Sequence, residues 1–276
     1  MPTVTFSADL KALVVISNDN GLDLRDVLRC IPHGQVPVVC TGFRSPTSST
    51  GTASVDLILD VSTALNRPIE SLSLYSWGTL NGGHDLFDVW METFHGTHRR
   101  IIMHSEFSLR DAVMAYHSLT ILAISEVAVP EGSGEYELPY LTHLSVALLE
   151  SGTQSSRGHN SVFLLEPRPN PVLLCPILEI VGFVAYPWHP TIIAPEMIST
   201  FLQWHVKCSR PPVLRLSEIA LVQNNVPEVA ALLGLISDIQ ESRPTDSPSG
   251  RHGPTWNNRL PNINDILSWE TEMTKA

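Results

Sequence analysis

Four histidines lie close together in the first half of the chain, at His84, His95, His98 and His104, with Asp85 and Asp88 among them. Imidazole nitrogens and carboxylate oxygens are zinc ligands, and a zinc-bound water is a hydrolytic nucleophile near neutral pH. His95 and His98 have the His-x-x-His spacing that puts two imidazoles near one face of a helix. The cluster is therefore the candidate centre of a metal-assisted hydrolase. The same residues have a plainer reading. Leu86, Val89 and Trp90 follow Asp85 at helical spacing, so Asp85 and Asp88 fall where carboxylates cap free N–H groups and suit the helix dipole. Gly96 ends such a helix, and His98, Arg99 and Arg100 then form a cationic C-terminal turn. The sequence has no helix-interior pair of histidines with an adjoining general base.

The second constellation is Cys30-x-x-His33 with Cys40, joined by His205-x-x-Cys208. Thiolates and imidazoles from these segments could close a four-ligand zinc site if the segments met in space. No Cys-x-x-Cys pair is present, however, and each residue also suits a buried packing position. Cys30 falls in the last turn of a predicted helix, Cys40 ends a predicted strand, and His205 lies on the inward face of a predicted helix. No cofactor is expected on these spacings, and zinc is the one ion for which ligands of the right type exist. Nucleophile and phosphate motifs are missing. Tyr75-Ser76-Trp77-Gly78 lacks the first glycine of a nucleophile elbow, and no Walker loop or dinucleotide fingerprint occurs. Trp188-His189-Pro190 reads as a rigid turn after a strand.

These residues must be positioned by regular elements. Leu10 to Ile16 is an apolar run that ends at Ser17-Asn18-Asp19-Asn20-Gly21, a turn signal. Leu24, Val27, Leu28 and Ile31 then mark one face of a helix, and Val36 to Cys40 is a second apolar run. The order strand, helix, strand returns at Arg100–His104, a helix from Ser108, and Leu119–Ile124. Both helices open with Leu-Arg-Asp, which raises a duplicated unit against a shared capping solution. Val55 to Trp77 fits strand and helix alike. From Glu135 to Ile193 the texture is that of strands, at Tyr140–Leu149, Val162–Leu165, Val172–Leu174 and Ile177–Tyr186. Helices come next near Pro195 and Pro227, where proline suits the first turn. The expected class is α+β, with mixed α/β as the alternative.

Composition bounds the partners. Of 276 residues, 43% are hydrophobic, enough for a packed core. The formal charge is −11, and Arg99-Arg100 is the only adjacent basic pair, which argues against nucleic acid as the main partner. Only Lys11, Lys207 and Lys275 are lysines; the excess of arginine suits protein interfaces. The longest apolar run, Val172 to Tyr186, is too short and too interrupted to span a membrane. The start of the chain does not read as a signal peptide, so four reduced cysteines and an intracellular, cytoplasmic setting are expected.

Residues 1–241 read as one main body, with a further boundary near 130–135 where the texture changes. Residues 242–262 read as a flexible linker and 263–276 as a short docking segment. In that segment Ile263, Ile266, Leu267 and Trp269 form an apolar cluster that a partner or the chain itself must cover. In texture, an acidic, proline-rich body with such a tail resembles structural proteins of RNA viruses, such as a minor capsid or clamp subunit. That resemblance is compositional and covers no motif; it implies a place in the virion. The functional expectation is a non-catalytic assembly or interaction subunit with protein partners, including itself. Deleting residues 242–276 tests the tail. A folded body that no longer associates means docking in trans, and a less stable monomer, measured by thermal melting, means that the segment completes its own fold.

Overall fold

The structure is a computed structural model of the whole chain, and it describes residues 10–17, 27–30, 36–43, 68–79, 85–93, 97–104, 118–125, 134–149, 172–186, 191–217, 219–221 and 226–242. By its internal contacts the chain separates into Met1–Glu241 and Ser242–Ala276, and the described strands and helices lie in the first part, the last strand reaching Ser242. The docking residues Ile263, Ile266, Leu267 and Trp269 lie outside the described residues, as do Val162–Leu165, Trp188-His189-Pro190 and the helix expected from Ser108.

The first strands are β1 (Ala12–Ser17) and β2 (Val38–Phe43), which pair in parallel with residues 27–30 helical between them. This is the strand-helix-strand unit that the spacing predicts. β3 (Ile69–Thr79), β4 (Asp85–Thr93) and β5 (His98–His104) form an antiparallel meander, and β5 closes onto β2 in parallel. Beyond β3 the sheet continues through β6 (Ile121–Ser125), β8 (His143–Leu149), β10 (Ile180–Tyr186) and β13 (Val213–Ser217), all parallel, to β15 (Asp238–Ser242). Ten strands thus share one sheet in the order β1-β2-β5-β4-β3-β6-β8-β10-β13-β15. With its helices, the chain is of the mixed α+β class.

Three expectations give way to this sheet. Residues from Asp85 form strand β4 and not a helix. Leu86, Val89 and Trp90 fit either period over so short a run. Alternation sets the outcome, since Val89, Met91 and Thr93 are buried on one side while Glu92 is exposed. Asp85 therefore caps no helix. His98, Arg99 and Arg100 are likewise part of β5 and not a cationic helix end, and both arginines are buried. The duplication reading of the repeated order also gives way to the shared-capping one, because β1 and β2 are neighbours while β4 and β3 stand between β5 and β6.

From β6 onward the chain winds in coils. β7 (Glu135–Glu137), β9 (Val172–Leu174) and β12 (Val206–Lys207) form a small parallel sheet, and each leads through a turn into β8, β10 or β13. β11 (Thr191–Ile193) comes after β10 and pairs with β14 (Ile219–Leu221), which comes after β13. Helix α1 (Pro195–His205) and helix α2 (Val226–Leu233) then return the chain to β12 and β15. Pro195 opens α1 and Pro227 lies in the first turn of α2, where a missing N–H costs nothing.

One register runs through these coils. Leu72, Leu122, Leu144, Val181 and Leu214 are consecutive partners across β3, β6, β8, β10 and β13. Leu74, Ile124, Val146, Phe183 and Leu216 form the next row, and all ten side chains are buried. Leu119, Leu141 and Leu178, each three residues before the first row, are buried as well. The sequence of a coil is therefore Leu-x-x-Leu-x-Leu, with Ile, Val or Phe as occasional replacements. Each such side chain contributes roughly 1.5–3 kcal/mol through burial. Backbone bonds tie the coils at the strand starts, from Thr120 N–H to Glu70 C=O, Thr142 N–H to Thr120 C=O, Glu179 N–H to Thr142 C=O and Val213 N–H to Glu179 C=O. Helix α1 seals this side of the sheet, with Phe201 edge-on to Phe183 at 5.4 Å between centroids. Replacing Leu144 by Ala should cost about 3 kcal/mol in urea unfolding, because the cavity would open between two coils that cannot close it.

Candidate functional site

The sheet face opposite the leucine rows holds the main buried polar group. Arg100 grips Asp88 side-on, with Nε to Oδ1 at 3.0 Å and Nη2 to Oδ2 at 2.7 Å. The guanidinium also stacks on Trp90, 4.4 Å from the ring centroid. Register brings the three together, since Trp90 lies opposite Arg100, and Asp88 is two residues before Trp90 on the same face. Burial alone would lower the pKa of Arg100, but the hydrogen bond and charge of Asp88 outweigh it and raise it above the usual value. Cys40 is the partner of Arg100 on β2, and burial pushes its thiol up to about 11. A thiol so raised is protonated at neutral pH and is no nucleophile. The carboxylate and guanidinium satisfy each other, and the pair ties β4 to β5.

Arg99 points to the leucine side, where it takes the row position next to Met91. Its Nη1 donates to the carbonyls of Val36, Pro37 and His98 at 3.0, 3.3 and 2.7 Å. Burial lowers its pKa to about 10, so it remains charged at neutral pH. The chain's one adjacent basic pair is thus spent inside the fold and offers nothing to phosphate.

The metal candidates among the described residues do not converge. His98 pairs with Glu92 at 3.8 Å, and His104 ends the same strand, roughly 20 Å away at about 3.3 Å per residue. His33, His84 and His95 lie outside the described residues. Cys40 lies on β2, and Cys208 follows β12, which leads into β13; six strands stand between β2 and β13, roughly 30 Å at strand spacing, so the two cannot share an ion. Cys30 is half-buried at the end of helical residues 27–30, between β1 and β2 in the chain. His205 is buried at the end of α1 against Phe201, a core histidine as the helical pattern suggests. Among the described residues no group of three or more His, Cys, Asp or Glu side chains could hold a metal ion. Nor does any helix among them have the length and apolarity to cross a membrane.

A surface feature that motif reading overlooks lies where the small sheet turns into the large one. Leu138-Pro139-Tyr140-Leu141 and Cys175-Pro176-Ile177-Leu178 are matching β-turns, closed by Leu141 N–H to Leu138 C=O and Leu178 N–H to Cys175 C=O. Proline is favoured at the second position of such turns because its φ is already set. The turns stack in register, as Leu138 N–H donates to Leu174 C=O and Cys175 N–H to Lys207 C=O. Tyr140 and Ile177 therefore occupy the same place in successive coils, and counting on from Lys207 gives that place to Arg210. Tyr140 is 59% exposed and Ile177 50%. Beside them is an open groove of about 420 Å³ lined by Glu137, Pro139, Leu174, Pro176, Lys207, Cys208 and Ser209. Its floor is apolar, and Lys207 at its rim bridges to Glu135 at 3.1 Å across the surface. Beneath it, burial pushes the Cys175 thiol up to about 12. The repeated Pro-x-Leu-x-x-Leu/Val of residues 139–144 and 176–181 is the signal in the sequence. No family model, curated protein or solved structure matches this chain.

These contacts can be tested by substitution and by pH. Asp88→Ala leaves Arg100 charged and buried, and should lower stability by about 3–5 kcal/mol in chemical unfolding, whereas Asp88→Leu with Arg100→Met should recover most of the loss. The thiols give a pH effect. Unfolded cysteine loses its proton near pH 9, whereas Cys40 and Cys175 hold theirs to about 11 and 12. As pH rises past 9 the unfolded chain thus binds fewer protons than the native one, and stability should fall until the native thiols ionise in turn. A thiol reagent at pH 8 should leave both residues unlabelled in the native protein and label them in urea.

Proposed function

We propose that this chain is a non-catalytic protein-interaction subunit, a solenoid of the leucine-rich-repeat type that meets its partner through the stacked turns at Tyr140 and Ile177. The Leu-x-x-Leu-x-Leu spacing on successive parallel strands is the pattern by which such repeats are read. Solenoids of this kind present extended surfaces to other proteins. The observation that carries the reading is the exposure of Tyr140 and Ile177 at one place in two successive coils. A single exposed apolar side chain is ordinary. Two in register are a different matter when they stand on proline-fixed turns beside a groove with an apolar floor and charged rim. That is the anatomy of interface anchors within a polar surround.

Photo-crosslinking tests the reading. A photoreactive residue placed at position 140 should capture a discrete protein in an extract of the source cells, and one placed at Gln203 on α1 should not. Ile177→Asp should remove the product without changing the melting temperature by more than about 2 °C, because the side chain is exposed and surface changes seldom exceed about 0.5 kcal/mol. Equal labelling from positions 140 and 203 would sink the proposal.

A further inference from the structure

We infer that the partner seated on the stacked turns is a second copy of this chain, a conclusion that rests on the interaction reading above. The surface is self-complementary about a two-fold axis that passes through the middle coil. The outer coils carry Tyr140 and Glu137 on one side and Arg210 and Lys207 on the other, all exposed. Register sets Glu137 and Lys207 on either side of Leu174, one strand away in each direction. Rotation about the axis exchanges the outer coils. Tyr140 of one copy then faces Arg210 of the other, and Glu137 faces Lys207, each contact occurring twice. Ile177 lies on the axis and meets its own counterpart.

Isologous interfaces require this, because the surface must complement itself under rotation. An arginine over a tyrosine ring is a favourable cation–π contact, and the Glu137–Lys207 pairs give the charge match that fixes register. The existing Lys207–Glu135 bridge does not compete strongly, because both groups are more than half exposed and such pairs contribute little. The turns at Tyr140 and Ile177 are closed by their own hydrogen bonds, and Ser209 N–H is held by Pro176 C=O, so docking has little backbone left to order. The neighbouring coils are about 5 Å apart, so the three facing positions span a short ridge and the dimer should be concentration-dependent.

Sedimentation of the purified full chain across a concentration series is the experiment. The expected result is a monomer–dimer equilibrium. Glu137→Lys alone and Lys207→Glu alone should each weaken it at least ten-fold, and the two together should restore it. Ile177→Cys, oxidised with copper phenanthroline, should give a disulfide-linked dimer, and Gln203→Cys should not. Deleting residues 242–276 should leave the dimer intact. A chain that stays monomeric, a dimer indifferent to the charge exchange, or one lost with the tail would each overturn the inference. If it falls while position 140 still captures a different protein, the interaction reading stands; if position 140 captures nothing, both fall.

Discussion

Parallel strands cannot be joined by a tight turn. Each must be left at one end and regained at the other, and the chain has to travel the length of the strand in between. Between β10 and β13 that return runs through β11, α1 and β12, and between β13 and β15 through β14 and α2. The return needs a surface to lie on, and the leucine rows supply it. Phe183 on the sheet and Phe201 on α1 meet because the apolar face of the helix is turned to those rows. A single coil buries little by itself, since its leucines touch those of the coils above and below. The stability of the body is therefore a property of stacking, and a defect in one coil is felt by its neighbours.

This arrangement also explains the two buried arginines. On the sheet face opposite the leucine rows Ser73, Ala123, Ser145 and Gly182 form a row of small side chains, which ends at the half-buried Arg215 on β13. In the meander the same row runs on into Trp90 and Arg100, large groups that must be reconciled with a buried setting. Asp88 does so by accepting from two nitrogens of the guanidinium fork, and Arg99 does so by donating to backbone carbonyls at the strand starts. Polar groups of this kind give little net stability, but they penalise any other pairing of β3, β4 and β5, because a slipped register would strand a charge.

Much of the fold is written in the sequence in local form. β1, β2, β6, β8, β9 and β10 fall where apolar runs and turn signals place them, and α1 and α2 carry their prolines in the first turn. The run from Asp85 is ambiguous, because Leu86, Val89 and Trp90 satisfy two periods at once and only the pairing with β3 and β5 decides between them. The coil repeat is hidden for a different reason. Its rows recur at 122, 144, 181 and 214, at unequal intervals, so no fixed period exists to be found. What recurs is a short phrase, Leu-Pro-Tyr-Leu-Thr-His-Leu against Cys-Pro-Ile-Leu-Glu-Ile-Val, in which proline and the apolar residues at the fourth and last places carry the geometry. The candidate surface is illegible from the same cause. Tyr140 and Ile177 are far apart in the chain, and only stacking makes them adjacent. For the metal candidates Cys40 and Cys208 the difficulty runs the opposite way, because chemical type at suggestive spacing says nothing about which strands lie between.

The unequal intervals have an evolutionary meaning. Within a strand, adding one residue would turn every later side chain to the other face and expose a leucine. Within a return, the entropic cost of added length grows only as its logarithm. A residue added within the short phrase of a coil therefore costs far more than one added to a passage between coils. Descent under that difference would leave a rhythm of kept words in prose that no longer aligns.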